Sequence, residues 1–301
     1  MSVSAVWEKF TALSLRPKGV RRKLLKFDSF QMSTLSVQAS PSQKTNKKLI
    51  CVHGLGSSAA AYGSLLPHLA KHWSLIMAPS APGHGASPPF NHVRSLETKS
   101  QRSQSQVYQA WETCLLELAK EGPVDLLGVS LGGAIAIRFA AQHPEKVSSL
   151  MLCSPAGALL DEIDIAHLKS VFKMDHPSDG MRFLRTLYHE VPWWGFVLAP
   201  LVRKSLSQPE AQMIINQLKP GDGLDPSELK NLNLPILLIW GKRERILPSS
   251  SLDKLLTHFP KHLVLLQPDH FSHTPQKEHP KELAQHLIYF QTHLYDKSSS
   301  K

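Results

Sequence analysis

The chain predicts an α/β fold, a mostly parallel sheet of about eight strands flanked by helices, with a helical cap inserted after the sixth strand. Three observations predict it. Short continuous apolar runs alternate with helical segments over most of the 301 residues, as strands buried on both faces require. One of these runs, beginning at Val124, ends in Gly128-Val-Ser-Leu-Gly132 and passes at once into a helix, Ala134 to Ala141. The alternation stops after Pro155, gives way to a helical stretch over 157–233, and resumes at Pro235.

In chain order, Lys23–Phe30 and Gln31–Gln38 show the short alternations of an antiparallel hairpin, followed by a polar break from Ala39 to Asn46. Lys48–Val52 is a buried strand that ends in His53-Gly-Leu-Gly-Ser-Ser58. A helical stretch from Ala59 to Lys71, a strand at Trp73–Met77 and a Pro/Gly-rich loop at Ala78–Ser87 come next. A long amphipathic helix is expected from about Gln101 to Lys120, and strands at Val124–Gly128 and Val147–Cys153. After the insertion come the strand Pro235–Trp240, a helix near Ser249–His258, the strand His262–Leu266 and a last helix from about Lys281 to Tyr295. The division is a basic N-terminal arm over 1–22, a core over 23–156 and 234–296, a cap over 157–233 and a polar tail over 297–301.

The strand-to-helix turn carries the chemistry. A chain that reverses within a residue or two forces Ser130 into a strained conformation and demands small neighbours at Gly128 and Gly132. The hydroxyl then stands clear of the sheet beside a helix N-terminus, where developing negative charge is favoured. The N–H of Leu131, just after the serine, and that of Leu55, in the His53-Gly-Leu loop, are the expected oxyanion-hole donors. Serine needs a base to take its proton. His270, in the loop after the last strand, is the expected base, with His273 as the alternative. A carboxylate must hold that imidazole in one tautomer, and Glu244, in the turn after the strand ending at Trp240, is the expected acid. Asp161 and Asp164 are fallback acids, and a surface ion pair with Arg243 or Arg245 is the competing role for Glu244. The order Ser130, Glu244, His270 is the one this architecture imposes.

Two rivals fail on missing partners. Gly54-x-Gly-x-x-Ala59 fits a dinucleotide loop, but Leu75–Ser80 lacks the acid that would hold a ribose. His270-x-x-His273 has metal-ligand spacing without a third ligand in sequence, so no metal is expected.

Together these landmarks, with Gly83-His-Gly-Ala-Ser87, Trp240-Gly241 and Leu247-Pro248, resemble serine hydrolases of the α/β-hydrolase superfamily, of the capped esterase, lipase and carbon–carbon hydrolase type. The resemblance spans about Lys23 to Tyr295 and implies the α/β-hydrolase fold, with Ser130 as nucleophile, His270 as base, Glu244 as acid and no cofactor. Most relatives carry Asp where Glu244 stands, often Asp where this chain has Ser80, and Gly where it has Asp269. The apolar cap, with Trp193, Trp194 and Phe196 as expected substrate contacts, favours an acyl chain or aromatic group. A small-molecule carboxylic ester is the leading substrate class. Carbon–carbon cleavage of a diketone-like acid, anchored by Arg182 or Arg185, is the enzymatic alternative, and a non-catalytic binding protein is the alternative of another class.

The net charge of +10 is concentrated in front, from Lys9 to Lys48, and no nucleic-acid-binding signature accompanies it, so no nucleic-acid partner is expected. Trp7, Phe10, Leu13 and Leu15 interleave with these cations, which suits either a solvated arm packed loosely on the domain or a short amphipathic helix on an anionic membrane. Cys51, Cys114 and Cys153 lack disulfide or zinc spacing and read as buried thiols of a reducing compartment. With no signal-peptide pattern and no apolar run of spanning length, a cytoplasmic location is expected, with peripheral membrane contact through the arm. Oligomeric state is not legible.

Overall fold

A computed structural model of the chain describes residues 3–39, 45–90 and 102–294. The expected tail at 297–301 and the first residue of the helix expected from Gln101 lie outside them.

Eight strands form one sheet: β1 (Arg21–Lys26), β2 (Gln31–Gln38), β3 (Lys48–Val52), β4 (Leu75–Pro79), β5 (Val124–Val129), β6 (Val147–Cys153), β7 (Ile236–Ile239) and β8 (Val264–Leu266). Their order across the sheet is β1-β2-β4-β3-β5-β6-β7-β8. The β1–β2 hairpin is antiparallel and β2 pairs antiparallel with β4, whereas β4, β3, β5, β6, β7 and β8 run parallel. Side chains alternate between two cores. Ile50, Leu126, Leu150 and Leu238 pack on one face, and Leu49, Leu127, Met151 and Leu237 on the other, all fully buried. A strand apolar at consecutive positions therefore has both faces covered.

Helices α1 (Val3–Ser14), α2 (Leu66–Leu69), α3 (Arg102–Leu118) and α4 (Leu131–Gln142) precede the insertion. The regular elements of the insertion between β6 and β7 are all helices: α5 (Glu162–Val171), α6 (Asp179–Leu187), α7 (Gly195–Leu206), α8 (Pro209–Asn216) and α9 (Pro226–Lys230). Helices α10 (Ser251–Leu256), α11 (Pro275–Glu278) and α12 (Pro280–Tyr289) complete the core. Charged contacts tie the cap to the body. Arg138 of α4 donates to Glu228 of α9 at 2.7 and 3.1 Å, and Arg245 donates to the Tyr188 carbonyl at 2.7 Å. Lys254 of α10 pairs with Asp161 at 2.8 Å and also with Asp164.

The β5–α4 reversal sets the geometry of everything above the sheet. A Cβ on Gly132 would lie 2.0 Å from the Val52 carbonyl oxygen, and one on Gly128 would lie 2.6 Å from Gly133 Cα. Only glycine permits α4 to begin this close to the ends of β3 and β5. Gly132→Ala is therefore expected to destabilise the protein by about 2 kcal/mol or more, because the obstructing atoms are backbone and cannot swing aside. Urea unfolding of the purified variant reads this, and an unchanged midpoint would refute the packing argument.

Candidate active site

Ser130 occupies the reversal with φ 56° and ψ −126°, a conformation costly for a residue with a side chain. Its backbone is fully engaged. The N–H donates to the Cys153 carbonyl at 3.2 Å, and the carbonyl accepts from Gly133 at 2.8 Å and Ala156 at 2.9 Å. Ser130 lines a cavity of roughly 220 Å³, together with Leu55 and Leu131. The expected nucleophile and both residues expected to donate to an oxyanion thus share one chamber. Its other walls are largely apolar, including Leu168 and Phe172 of the cap region and Ile215 of α8.

The loop carrying Leu55 is braced by a buried imidazole. His53 Nε2 accepts the N–H of Ala81 at 2.9 Å, which leaves the proton on Nδ1, and Nδ1 donates to the Gly54 carbonyl at 2.9 Å. Fixing the Gly54 carbonyl fixes the whole Gly54–Leu55 peptide plane, so the Leu55 N–H must point the opposite way. A Cβ on Gly54 would lie 3.0 Å from Ser130 Cβ, which puts this peptide directly against the serine. Burial, with a smaller contribution from His84, pulls the His53 pKa down to about 3.

Glu244 lies in the turn after β7, where its N–H donates to the Gly241 carbonyl at 3.1 Å. Its Oε1 accepts the N–H groups of Ile246 at 2.7 Å and Leu247 at 3.0 Å. Its Oε2 faces Nδ1 of His273 at 2.7 Å, with both side chains buried. Burial alone would raise the Glu244 carboxyl; its electrostatic and hydrogen-bond contact with His273, with bonds from Ser154 and Leu247, outweighs this and holds the group below its ordinary value. Glu244 is thus not paired with Arg243 or Arg245 as a surface group. Ser154 directly follows Cys153, whose carbonyl accepts from Ser130, so the carboxylate sits one strand end away from the serine.

The expectation that His270 meets Glu244 is corrected by this geometry. After β8 the chain doubles back across the end of β7: Lys242 donates to the Pro268 carbonyl at 3.0 Å and Arg243 to that of Phe271 at 3.0 Å. A Cβ on Gly241 would sit 2.1 Å from the Phe271 oxygen, so the crossing is in backbone contact. Phe271 is driven inward and His273, two residues on, follows it. His270 is left on the outer side, 44% exposed, bonded to Glu282 of α12 at 2.8 Å. Among the described residues, His270, His279 and Glu282 form a group able to hold a metal ion, their ligand atoms within 4.8 Å of one another.

The aromatic cap residues are a second correction. Helix α7 buries Gly195, Ala199 and Leu206 and crosses α6 closely enough that a Cβ on Gly180 would lie 2.0 Å from the Ala199 oxygen. Trp193 and Phe196 fall on the opposite side, 84% and 63% exposed, and Trp194, partly buried, caps α7; none of the three lines the cavity. Periodicity alone could have found this, since the small residues at 195 and 199 mark the packed face. Asp161 and Asp164 form the capping box of α5 and bind Lys254, which removes them as fallback acids. Arg182 is spent on Asp179 and on the Ser170 and Lys173 carbonyls. Among the described residues the cation in the cavity wall is instead Arg138, which sequence reasoning missed because α4 reads as a structural helix.

Because folded His53 resists protonation until about pH 3 while the unfolded chain takes a proton near pH 6.5, the unfolded state binds more protons between these values. Stability therefore falls as pH drops through that window, by about 2 kcal/mol from pH 7 to pH 5 for this group alone. His53→Asn should flatten that part of the pH dependence of urea unfolding, and an unaltered slope would contradict the assignment.

Residues 49–286 match the profile described as the "Alpha/beta hydrolase family". The chain is 25% identical over 265 residues to the pimeloyl-[acyl-carrier protein] methyl ester esterase of Neisseria meningitidis serogroup C, covering 79% of this chain and 91% of that protein. Its fold superposes on a bacterial membrane phospholipase A with a TM-score of 0.74 at 21% identity, covering 98% of this chain and 93% of the other. The meta-cleavage product hydrolase of Pseudomonas fluorescens gives a TM-score of 0.70 at 18% identity, covering 89% and 96%. With a match over most of its length, and with the sheet order, the turn at Ser130 and the helical insertion already described, the chain belongs to the alpha/beta hydrolase family.

Proposed function

We propose that the protein is a serine hydrolase of carboxylic esters that works through an acyl-serine intermediate, without a cofactor. The observation that carries this reading is the buried His273–Glu244 pair at the strand ends that also present Ser130 to an apolar cavity. Glu244 is held ionised, so Nδ1 of His273 carries the proton and Nε2 is left to accept one. In the proposed reaction, Ser130 Oγ attacks the ester carbonyl as its proton passes to His273 Nε2. The N–H groups of Leu55 and Leu131 receive the oxyanion, and His273 then protonates the leaving alcohol. Water, deprotonated by the same imidazole, releases the acid and restores the serine.

Cleavage of an ester fits the chamber better than cleavage of a diketone-like acid. Arg182 is engaged inside the cap, and Arg138, the one arginine in the cavity wall among the described residues, is bidentate to Glu228 and lies over Tyr108, 5.6 Å from the ring centre. The name of the Neisseria relative, an esterase of an acyl methyl ester, supports an acyl chain as the group held there.

On short- and medium-chain p-nitrophenyl esters, Ser130→Ala and His273→Ala should each lower kcat by about a thousandfold or more, whereas His270→Ala should stay within about threefold of wild type. A fluorophosphonate probe should label the wild type and spare Ser130→Ala. Labelling that survives the substitution, or a large loss for His270→Ala with none for His273→Ala, would sink the assignment.

We also propose peripheral contact with anionic membranes. Val6, Trp7, Phe10 and Leu13 are exposed along α1, and Arg16, Lys18, Arg21, Arg22, Lys23 and Lys26 are exposed just beyond it. Apolar side chains flanked by cations suit an anionic bilayer surface. Among the described residues no helix is long and apolar enough to cross a membrane. The protein should sediment with phosphatidylserine-containing vesicles at low salt, and Trp7→Ser/Phe10→Ser should cut the bound fraction severalfold; equal binding by both would refute the role of α1.

A further inference from the structure

Helix α1 does more than cover the surface: it delivers a carboxylate into the body of the protein. Glu8 is fully buried. Its Oε1 accepts from Ser33 Oγ at 2.5 Å; its Oε2 accepts from Ser80 Oγ at 2.6 Å and from the Ala86 N–H at 3.2 Å. Gly85, at φ +53°, makes room, since a Cβ there would lie 1.9 Å from Glu8 Oε2. The same helix packs on the loop beyond Ser58, where a Cβ on Gly63 would lie 2.4 Å from Thr11 Cγ2.

The partners of Glu8 lead toward the serine. Ser80 Oγ, while donating to Glu8, accepts the N–H of Ala59 at 2.8 Å. Ala81, the next residue, donates its N–H to His53 Nε2, and His53 in turn holds the Gly54 carbonyl. Ser87 closes the turn by donating to the Ser80 carbonyl at 2.6 Å while accepting from the Ser33 N–H at 2.7 Å. The Ser80–Ser87 turn thus grips the His53–Ala59 loop at two points, Ala59 and His53. The turn itself is held in place by a carboxylate from the far N-terminus. A buried carboxylate is costly unless donors surround it, and this one has three donors, one from β2 and two from the Ser80–Ser87 turn.

We infer that Glu8 is a positioning residue for hydrolysis: α1 supplies the carboxylate that clamps the Ser80–Ser87 turn onto the loop bearing Leu55, so the basic N-terminal helix is a working part of the site. This rests on the serine-hydrolase reading above, with Leu55 as an oxyanion donor. Losing one such donor costs roughly a hundredfold to a thousandfold in kcat, so loosening one without removing it should cost about tenfold or more.

The test exploits the geometry at position 80. An aspartate there would place its oxygens beside those of Glu8, close to the Ala59 and Ala86 N–H groups that Ser80 and Glu8 now serve. In the full chain, Glu8→Ala should lower kcat on a p-nitrophenyl ester about tenfold or more with KM within about twofold, and should speed hydrogen exchange at Leu55 and Ala59. Ser80→Asp should harm the otherwise unaltered protein, by setting two carboxylates against each other, yet restore activity and slow exchange in the Glu8→Ala background. A merely structural role would not reverse sign in this way. Should Glu8→Ala fold poorly, the double variant and Ser80→Asp alone still carry the comparison. If Glu8→Ala keeps wild-type kcat, or Ser80→Asp fails to rescue it, the inference is wrong. If exchange at the loop responds as stated but the parent protein hydrolyses no ester, the clamp stands and the hydrolase reading is what has failed.

Discussion

Everything above the sheet depends on a contact made without side chains, the backbone of α4 lying against the ends of β3 and β5. Gly128, Gly132 and Gly133 are placed so that a single methyl group at any of them would meet main-chain atoms or Pro155. The unfavourable φ at Ser130 costs on the order of 1–3 kcal/mol. It persists because the surroundings leave no relaxed alternative: the Ser130 N–H and carbonyl are bonded to Cys153, Gly133 and Ala156 on neighbouring segments. Rotating the serine into a relaxed well would break those bonds while the glycine contacts held the helix where it is. The strain is therefore paired with a fixed direction for the hydroxyl, and both come from the same close approach.

The imidazole partner of Glu244 is set by a second backbone contact of the same kind. Gly241 lets the segment after β8 cross over β7 in direct contact, and the crossing decides which histidine of Pro268-Asp-His-Phe-Ser-His273 turns inward. The pair it creates is buried at both ends, an arrangement that contributes little to stability by itself, because removing two polar groups from water offsets most of their attraction. Its value lies in orientation. Glu244 spends one oxygen on two turn N–H groups and the other on His273, so the carboxylate is held and cannot follow the ring if the ring moves.

These two contacts also explain how much of the protein was legible. The β5–α4 reversal could be read because its requirement is local: strand, small residue, serine, small residue, helix. The sheet and the helical insertion were readable for a related reason, since continuous apolar runs in β3, β5, β6 and β7 leave no polar face to expose. Glu244 was readable from its place after a strand. The choice between His270 and His273 was not, because it depends on a chain crossing between segments about thirty residues apart, in a loop that has no periodicity. The cap aromatics misled for a different reason. Large apolar residues usually face a core, but on α7 the close crossing with α6 selects small residues for the packed face and turns Phe196 outward, and Trp193, just before the helix, is exposed as well. Glu8 carried no signal at all: one acid in a basic segment reads as a solvated charge until its three donors are brought together.

The polar edge of the cavity bears on what the proposed hydrolase could hold. Arg138 lines the chamber, yet both of its bonded nitrogens are directed at Glu228, which also closes the capping box of α9. A substrate carboxylate arriving there would have to displace Glu228 and leave a partly buried acid without its partner, which counts against such a ligand. The charge is therefore already answered from within the protein, and to an incoming ligand this wall presents a neutral surface with the Tyr108 ring beside it. An acyl group that is apolar along its length, or one whose distal acid is masked as an ester, meets no such penalty. The same pairing that fastens cap to core thus neutralises Arg138 at the cavity wall, so a change in how the cap sits on α4 would alter the charge presented there.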